Sequence, residues 1–211
     1  MNITVFLGAP GSGKGTQAKR LADKQGFRHL STGDMLRAAI QAGTDVGKRA
    51  KTFIDRGELV PDTVMIELIE QVLSELGQGT KIILDGFPRT VPQAKALDEH
   101  SSTTVNKALF FSAPEKMLIE RLTGRRICEK CGEPFHVSFM RSKKDGACDK
   151  CGGKLVQRAD DAESVVRRRL EIFNQQNSQL LNYYRDRGNL SEVTADAPVE
   201  RVQKDLIQIL T

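Results

Sequence analysis

The segment Gly8-Ala-Pro-Gly-Ser-Gly13-Lys14-Gly15-Thr16 gathers glycines around one lysine and two hydroxyl side chains. That composition suits a phosphate group. Glycines let the backbone turn successive N–H groups toward one anion. A helix opening at Lys14 adds the positive end of its dipole, and the Lys14 ammonium can reach the outer phosphates of a longer chain. In the commonest form of such a loop Ser or Thr follows the lysine directly. Here Gly15 intervenes and Thr16 comes next, which narrows the class. A glycine turn without a ligand would need neither the lysine nor so many glycines.

The second chemical signal is Cys128-x2-Cys131 and Cys148-x2-Cys151, with sixteen residues between the pairs. Paired CxxC turns bring two thiolates each to a tetrahedral cation, and four sulfurs close its shell without an open position. The spacing therefore predicts a structural Zn²⁺ site. Disulfides would need an oxidising compartment, and CxxC redox chemistry would not need two pairs. His136 lies nearby but is surplus to four cysteines, so it is expected to be hydrogen-bonded or exposed. His29 and His100 carry no assigned role.

These groups must be held by a scaffold. Ile3 to Leu7, Lys81 to Asp85 and Ala108 to Phe111 are short apolar runs of strand length. Helical periodicity marks Lys14 to Lys24, Thr63 to Leu76, Val91 to Glu99, Pro114 to Leu122, Glu163 to Arg187 and Pro198 to Leu210. Pro114 and Pro198 fit first-turn positions. Apolar strands separated by helices predict a doubly wound parallel α/β sheet, with ligands at the carboxyl ends of its strands. Residues 31–60 and 124–161 break the rhythm and read as insertions into that core. The 211 residues suffice for one such core.

Three further segments narrow the class: Ser31-Thr-Gly-Asp-Met-Leu-Arg37, Asp85-Gly-Phe-Pro-Arg-Thr90, and Gly124-Arg-Arg126 with the later Arg158-Ala-Asp-Asp161. Together with the glycine loop, in order and essentially end to end, they resemble the adenylate kinase family in its long form with a zinc-binding lid. The resemblance implies a core of residues 1–30, 61–123 and 162–211, a helical AMP-binding insertion at 31–60, and a zinc-stapled lid at 124–161. Both insertions are expected to move as flaps. It implies the reaction ATP + AMP ⇌ 2 ADP with Mg²⁺, which maintains adenine nucleotide balance. Position by position, Gly11, Ser12, Gly13, Lys14, Gly15 and Thr16 would hold the ATP phosphates. Arg125, Pro134, Phe135 and the Ala197 backbone would hold the rest of ATP. Thr32, Arg37, Glu58, Leu59, Val60, Gly86, Phe87, Pro88, Arg89 and Gln93 would grip AMP. Arg121, Arg158 and Arg169 would close on the transferring group and the acceptor, and Asp85 would orient magnesium-bound water.

The chemistry asks for these residue types. Phosphoryl transfer collects negative charge in one cleft, so positioning and electrostatic stabilisation dominate. Arginine answers this with bidentate donors. The acceptor phosphate is already anionic, so no general base is needed, and no Ser/His/Asp or Cys/His nucleophile constellation stands out. Arg167, Arg168 and Arg169 are consecutive on a helix, so at most one or two can face the cleft. Arg126 reads equally well as a lid surface charge. The net charge of +5 fits polyphosphate partners, as it would nucleic acid or an anionic surface. Against nucleic acid, residues 124–161 hold only Phe135 and Phe139 as aromatics, without the basic–aromatic interleaving of a stacking surface. Against a membrane, no apolar run approaches ~20 residues. The N-terminus lacks a basic region before its short apolar stretch and reads as a first strand. A cytoplasmic location is expected, and the resemblance implies a monomer.

Overall fold

The computed structural model describes residues 1–210 of the chain; Thr211, the last residue of the expected core, lies outside them. Its main sheet is built from β1 (Asn2–Gly8), β2 (Arg28–Ser31), β3 (Lys81–Asp85), β4 (Thr104–Ser112) and β8 (Leu190–Thr194), in the order β2-β3-β1-β4-β8. Every pairing is parallel. β1 sits at the centre. Alternate residues of its run feed two cores, as a period of two requires. Ile3, Val5 and Leu7, with Ile82 and Leu84, pack on α4 (Asp62–Ser74), α5 (Val91–Glu99) and α7 (Glu163–Asp186) through Ile69, Leu97 and Tyr184. Phe6, Ile83, Leu109 and Phe111 pack on α1 (Lys14–Gln25) and α8 (Val199–Leu210) through Leu21 and Leu206. The expected doubly wound sheet is thus covered on both faces.

The sheet order reverses at β1, between β3 and β4. The glycine loop leaves β1 at this crevice, where such sheets bind ligands.

Two strands of the main sheet escaped the sequence reading. β2 and β8 are the edge strands, so only one neighbour contributes apolar surface, and Arg28 and Glu192 point into solvent. α4 begins at Asp62 and ends at Ser74, slightly earlier than its periodicity predicts. Pro114 and Pro198 stand just before their helices rather than within the first turn, with Leu118 and Val202 donating back to their carbonyls. No helix among the described residues is long and apolar enough to cross a membrane.

The first break in the rhythm contains the helical pair α2 (Thr32–Gln41) and α3 (Asp45–Asp55). Ser31 caps α2 by accepting from the Asp34 N–H through Oγ (3.3 Å). The two helices cross so closely that a Cβ on Gly47 would lie 2.2 Å from the Ala39 carbonyl oxygen. The second break is a small antiparallel sheet of β5 (Arg125–Cys128), β6 (Pro134–His136) and β7 (Leu155–Val156), in the order β6-β5-β7. α6 (Glu115–Thr123) leads into it, and a 3₁₀ turn at Ala159–Asp161 leads out to α7. Its own apolar cluster is only Cys128, Phe135 and Cys148 with Leu155 against them.

Candidate active site

A large cleft of about 1480 Å³ opens between the sheet, the α2–α3 pair and the β5–β7 sheet. The glycine loop forms its floor. Gly13, the residue before α1, has φ +89°, a left-handed conformation that glycine adopts without strain. α1 then points its N-terminus into the cleft. Lys14 Nζ donates to Gly8 O (2.7 Å), Ala9 O (2.8 Å) and Ser12 Oγ (3.2 Å), so the ammonium braces the loop it leaves. Burial lowers the Lys14 pKa to about 8; Asp85 opposes the shift, while Arg89, Arg169 and Arg125 add to it.

The Asp85-to-Thr90 segment follows β3. Thr32 Oγ1 donates to Asp85 O (3.3 Å), and Arg89 Nε donates to Gly86 O (2.8 Å). Gln93 Oε1 accepts from the Arg89 N–H (2.8 Å), and Gln93 Nε2 donates to Asp62 Oδ1 (2.7 Å). Thr90 Oγ1 donates to the other oxygen of Asp62 (3.0 Å), so one carboxylate fixes this turn from behind. The Phe87–Pro88 peptide is cis. Asp85 Oδ2 lies 3.4 Å from His29 Nε2, a partner the sequence did not suggest.

The arginines converge from separate elements. Arg125 forms a bidentate pair with the fully buried Asp161, Nε to Oδ2 at 2.8 Å and NH2 to Oδ1 at 2.5 Å. Arg169 NH1 meets Asp160 Oδ2 at 2.9 Å, and Arg37 NH1 approaches the same oxygen at 3.9 Å. Asp34 Oδ1 accepts from Arg37 (2.6 Å) and from Arg158 (3.2 Å). Burial, with repulsion from neighbouring guanidinium groups, lowers Arg89 and Arg158 to about 10. It lowers Arg169 as well. So many cations at close range are costly without anions beside them. Asp34, Asp160 and Asp161 supply those anions. The sequence reading gave Asp160 and Asp161 no role, although both stand inside the Arg158-to-Asp161 segment.

All of the expected nucleotide-site residues line this cleft except Phe87. That side chain is 1% exposed and belongs to the hydrophobic core, leaving only its backbone for a ligand. Arg121 lines the cleft but stands apart from the other arginines. Its NH1 donates to Ala195 O (2.9 Å), and its charged neighbours are Asp196 and Glu120. Of the consecutive arginines, Arg167 and Arg168 pair in solvent with Glu163 and Glu171, and Arg169 alone turns inward. Arg126 bonds the Thr123 and Arg125 carbonyls.

At the far end, the Sγ atoms of Cys128, Cys131, Cys148 and Cys151 all lie within 4.8 Å of one another. The cysteines are free thiols, with Cys128–Cys151 and Cys131–Cys148 at 3.4 and 3.6 Å. A tetrahedral shell with metal–sulfur bonds of about 2.3 Å would separate its sulfurs by about 3.8 Å. The residues therefore fit a metal ion. His136 is not a fifth ligand: Nδ1 accepts from the Ser138 and Phe139 N–H groups, which leaves the proton on Nε2, 3.2 Å from Glu120 O.

A family model described as adenylate kinase matches residues 6–189. Among proteins named adenylate kinase, that of Thermodesulfovibrio yellowstonii is 48% identical over 209 residues, covering 98% of this chain and 97% of its own. That of Archaeoglobus fulgidus is 45% identical over 213 residues, covering 100% and 98%. That of Lachnospira eligens is 43% identical over 209 residues, covering 98% of each. With a phosphate loop at the sheet's crevice and arginines gathered above it, the chain belongs to the adenylate kinase family.

Proposed function

We propose that the chain transfers the terminal phosphoryl group of ATP to AMP, giving two ADP. The observation that carries this reading is the convergence of Lys14, Arg37, Arg89, Arg125, Arg158 and Arg169, from separate elements, on one cleft. In the transfer an oxygen of the AMP phosphate bonds to the γ-phosphorus as the bond from that phosphorus to the β–γ bridging oxygen breaks. The electron pair leaves on ADP, and no proton has to be removed. Backbone N–H groups of Gly11 to Thr16 and the Lys14 ammonium hold the donor phosphates. Arg89 and Arg37 grip the acceptor phosphate, with Thr32, Gln93, Pro88, Gly86, the Phe87 backbone and the 58–60 backbone around the AMP nucleoside. Arg125, Arg158 and Arg169 stabilise the charge that develops on the transferring group. Pro134, Phe135, Ala197 and Arg121 form the donor's nucleoside end. The Arg121–Ala195 bond favours that assignment over a place beside the transferring phosphate.

Mg²⁺ arriving with ATP would neutralise part of the charge on the outer phosphates. Asp85, whose Oδ2 would stand 3.1 Å from a Cβ on Gly15 beside the phosphate loop, would orient its water. Cys128, Cys131, Cys148 and Cys151 would hold Zn²⁺, which ties down a lid with too little apolar surface to fold by itself. Residues 31–60 and 124–161 act as flaps on the core formed by 1–30, 61–123 and 162–211. Their closure excludes water and so suppresses hydrolysis of ATP. Contacts across the cleft support this: Lys19 of α1 meets Glu133 of the lid at 2.8 Å, and Arg158 meets Asp34 at 3.2 Å. The resemblance implies a monomer, and a cytoplasmic location is part of the same proposal.

A coupled assay for ADP tests the reading, with AMP, CMP, UMP and GMP as acceptors. Rapid turnover with AMP is expected. No ADP from ATP plus AMP would refute it, and a preference for a pyrimidine monophosphate would move the chain to a sister specificity.

A further inference from the structure

Two side chains from different helices hold the turn between β8 and α8. Arg121, on α6, donates to Ala195 O, and Gln17, on α1, donates Nε2 to Val199 O, each at 2.9 Å. The bonds bracket Asp196, Ala197 and Pro198, and Ala197 and Pro198 line the cleft beside the phosphate loop. Gln17 directly follows Thr16, so the first turns of α1 face the phosphate site and also reach the segment across from it.

The Gln17 side chain is not there for packing alone. The residue is only 3% exposed, yet its Oε1 is buried without a partner. An unpaired buried acceptor is unfavourable, and an apolar side chain of the same length would avoid it. The amide is therefore retained for its other end, the N–H that fixes Val199 O across 182 residues of sequence.

A fixed stretch of backbone presents its N–H and C=O groups in fixed directions, and purines differ in what they offer in return. Adenine carries an amino donor at position 6, where guanine carries an oxo acceptor. A segment set in place can pair with one and leave the other unpaired, and burial makes that difference large. We propose that Gln17 is a positioning residue for the base of the phosphate donor: by holding Val199 O it keeps the 195–199 backbone where it discriminates adenine from guanine. The proposal rests on the reading of the chain as an ATP-dependent kinase. Gln17 acts through the turn and not by touching the base.

The test is steady-state kinetics of Gln17→Met and Gln17→Glu, with ATP or GTP as donor at saturating AMP, then with AMP varied at saturating ATP. Loss of one neutral hydrogen bond should raise KM for ATP about three- to tenfold. The ATP-over-GTP ratio of kcat/KM should fall by a similar factor, with KM for AMP unchanged. Gln17→Glu sets an oxygen against Val199 O and should be at least as severe. An unaltered donor KM and ratio in Gln17→Met would overturn the proposal. So would donor and acceptor KM rising together with the ratio intact, since that pattern marks a purely structural residue. A measurement on the wild type covers the case in which neither variant folds. The amides of Arg201 and Val202, which donate to Pro198 O at 3.0 and 3.1 Å, should exchange slowly without nucleotide. Rapid exchange there, with protection only on adding ATP, would show a turn that is not preset. An inactive wild type would sink the enzymatic reading and this proposal with it, whereas an active wild type with insensitive variants sinks only the proposal.

Discussion

The Lys14 ammonium has a pKa lowered to about 8, chiefly by burial, against an ordinary value of 10.5. Only the charged form attracts phosphate, and kcat/KM reports the free enzyme. The expected outcome is a kcat/KM for ATP that declines as pH rises through about 8. kcat should decline at a higher pH, because bound phosphates favour the ammonium. A kcat/KM profile flat to well above that pH would remove Lys14 from phosphate binding. The linkage to stability has its own sign. Between the folded and unfolded values the unfolded chain binds more protons, so this group makes the free protein more stable as pH rises across that window. Asp161 is a buried carboxylate paired with Arg125. Asp161→Ala removes both bonds from that guanidinium, which is itself 23% exposed, and losing such charge-assisted hydrogen bonds costs about 1.5–3 kcal/mol. Denaturant melts should show that loss, and kcat should fall about tenfold to a hundredfold as Arg125 loses its orientation. At this scale the sequence showed the cations and missed their anions. Arginine in a glycine-rich, phosphate-binding context is recognisable by type. Whether an aspartate faces an arginine or water depends on a three-dimensional register that spacing does not reveal.

The α2–α3 pair depends on one close approach between elements. A methyl group on Gly47 would overlap the Ala39 carbonyl, so Gly47→Ala must push the helices apart. Overpacking of this kind costs about 1–3 kcal/mol. Because Arg37 is carried on α2, KM for AMP should rise severalfold while KM for ATP stays unchanged; equal effects on both would deny the pair a separate role in acceptor binding. Legibility of elements followed burial. β1 and β3 announce themselves as unbroken apolar runs because helices cover both faces. β2 and β8, at the edges, carry Arg28, His29 and Glu192 and have no such pattern. The three lid strands are still less visible, since cysteine turns and not an apolar face hold them together.

Across the whole molecule, stability is divided between a large core with two buried faces and a small lid with almost none. Chelation, or Cys148→Ser, should therefore abolish a separate early transition in differential scanning calorimetry and leave the melting of the core nearly in place. A metal-free protein with an unaltered thermogram would contradict a structural ion. The sequence proposes the same division, because clustered cysteines without apolar periodicity indicate a module that relies on a ligand for its fold. What the sequence could not indicate is how the parts meet, as in Lys19 with Glu133 or Arg158 with Asp34, since those pairings join exposed charges far apart in the chain.

The aspartates set among the cleft's arginines make it, in the language of separations, an anion exchanger supplied in its carboxylate form. On the proposed reading nucleotides do not enter an empty field of positive charge; a phosphate that reaches Arg37, Arg158 or Arg169 competes with Asp34 or Asp160 for a guanidinium already engaged. Uptake is then governed by exchange selectivity, which rewards multiply charged, compact anions. Sulfate should inhibit competitively, and far more strongly than chloride at the same ionic strength. Equal inhibition by the two salts would reduce the effect to general screening.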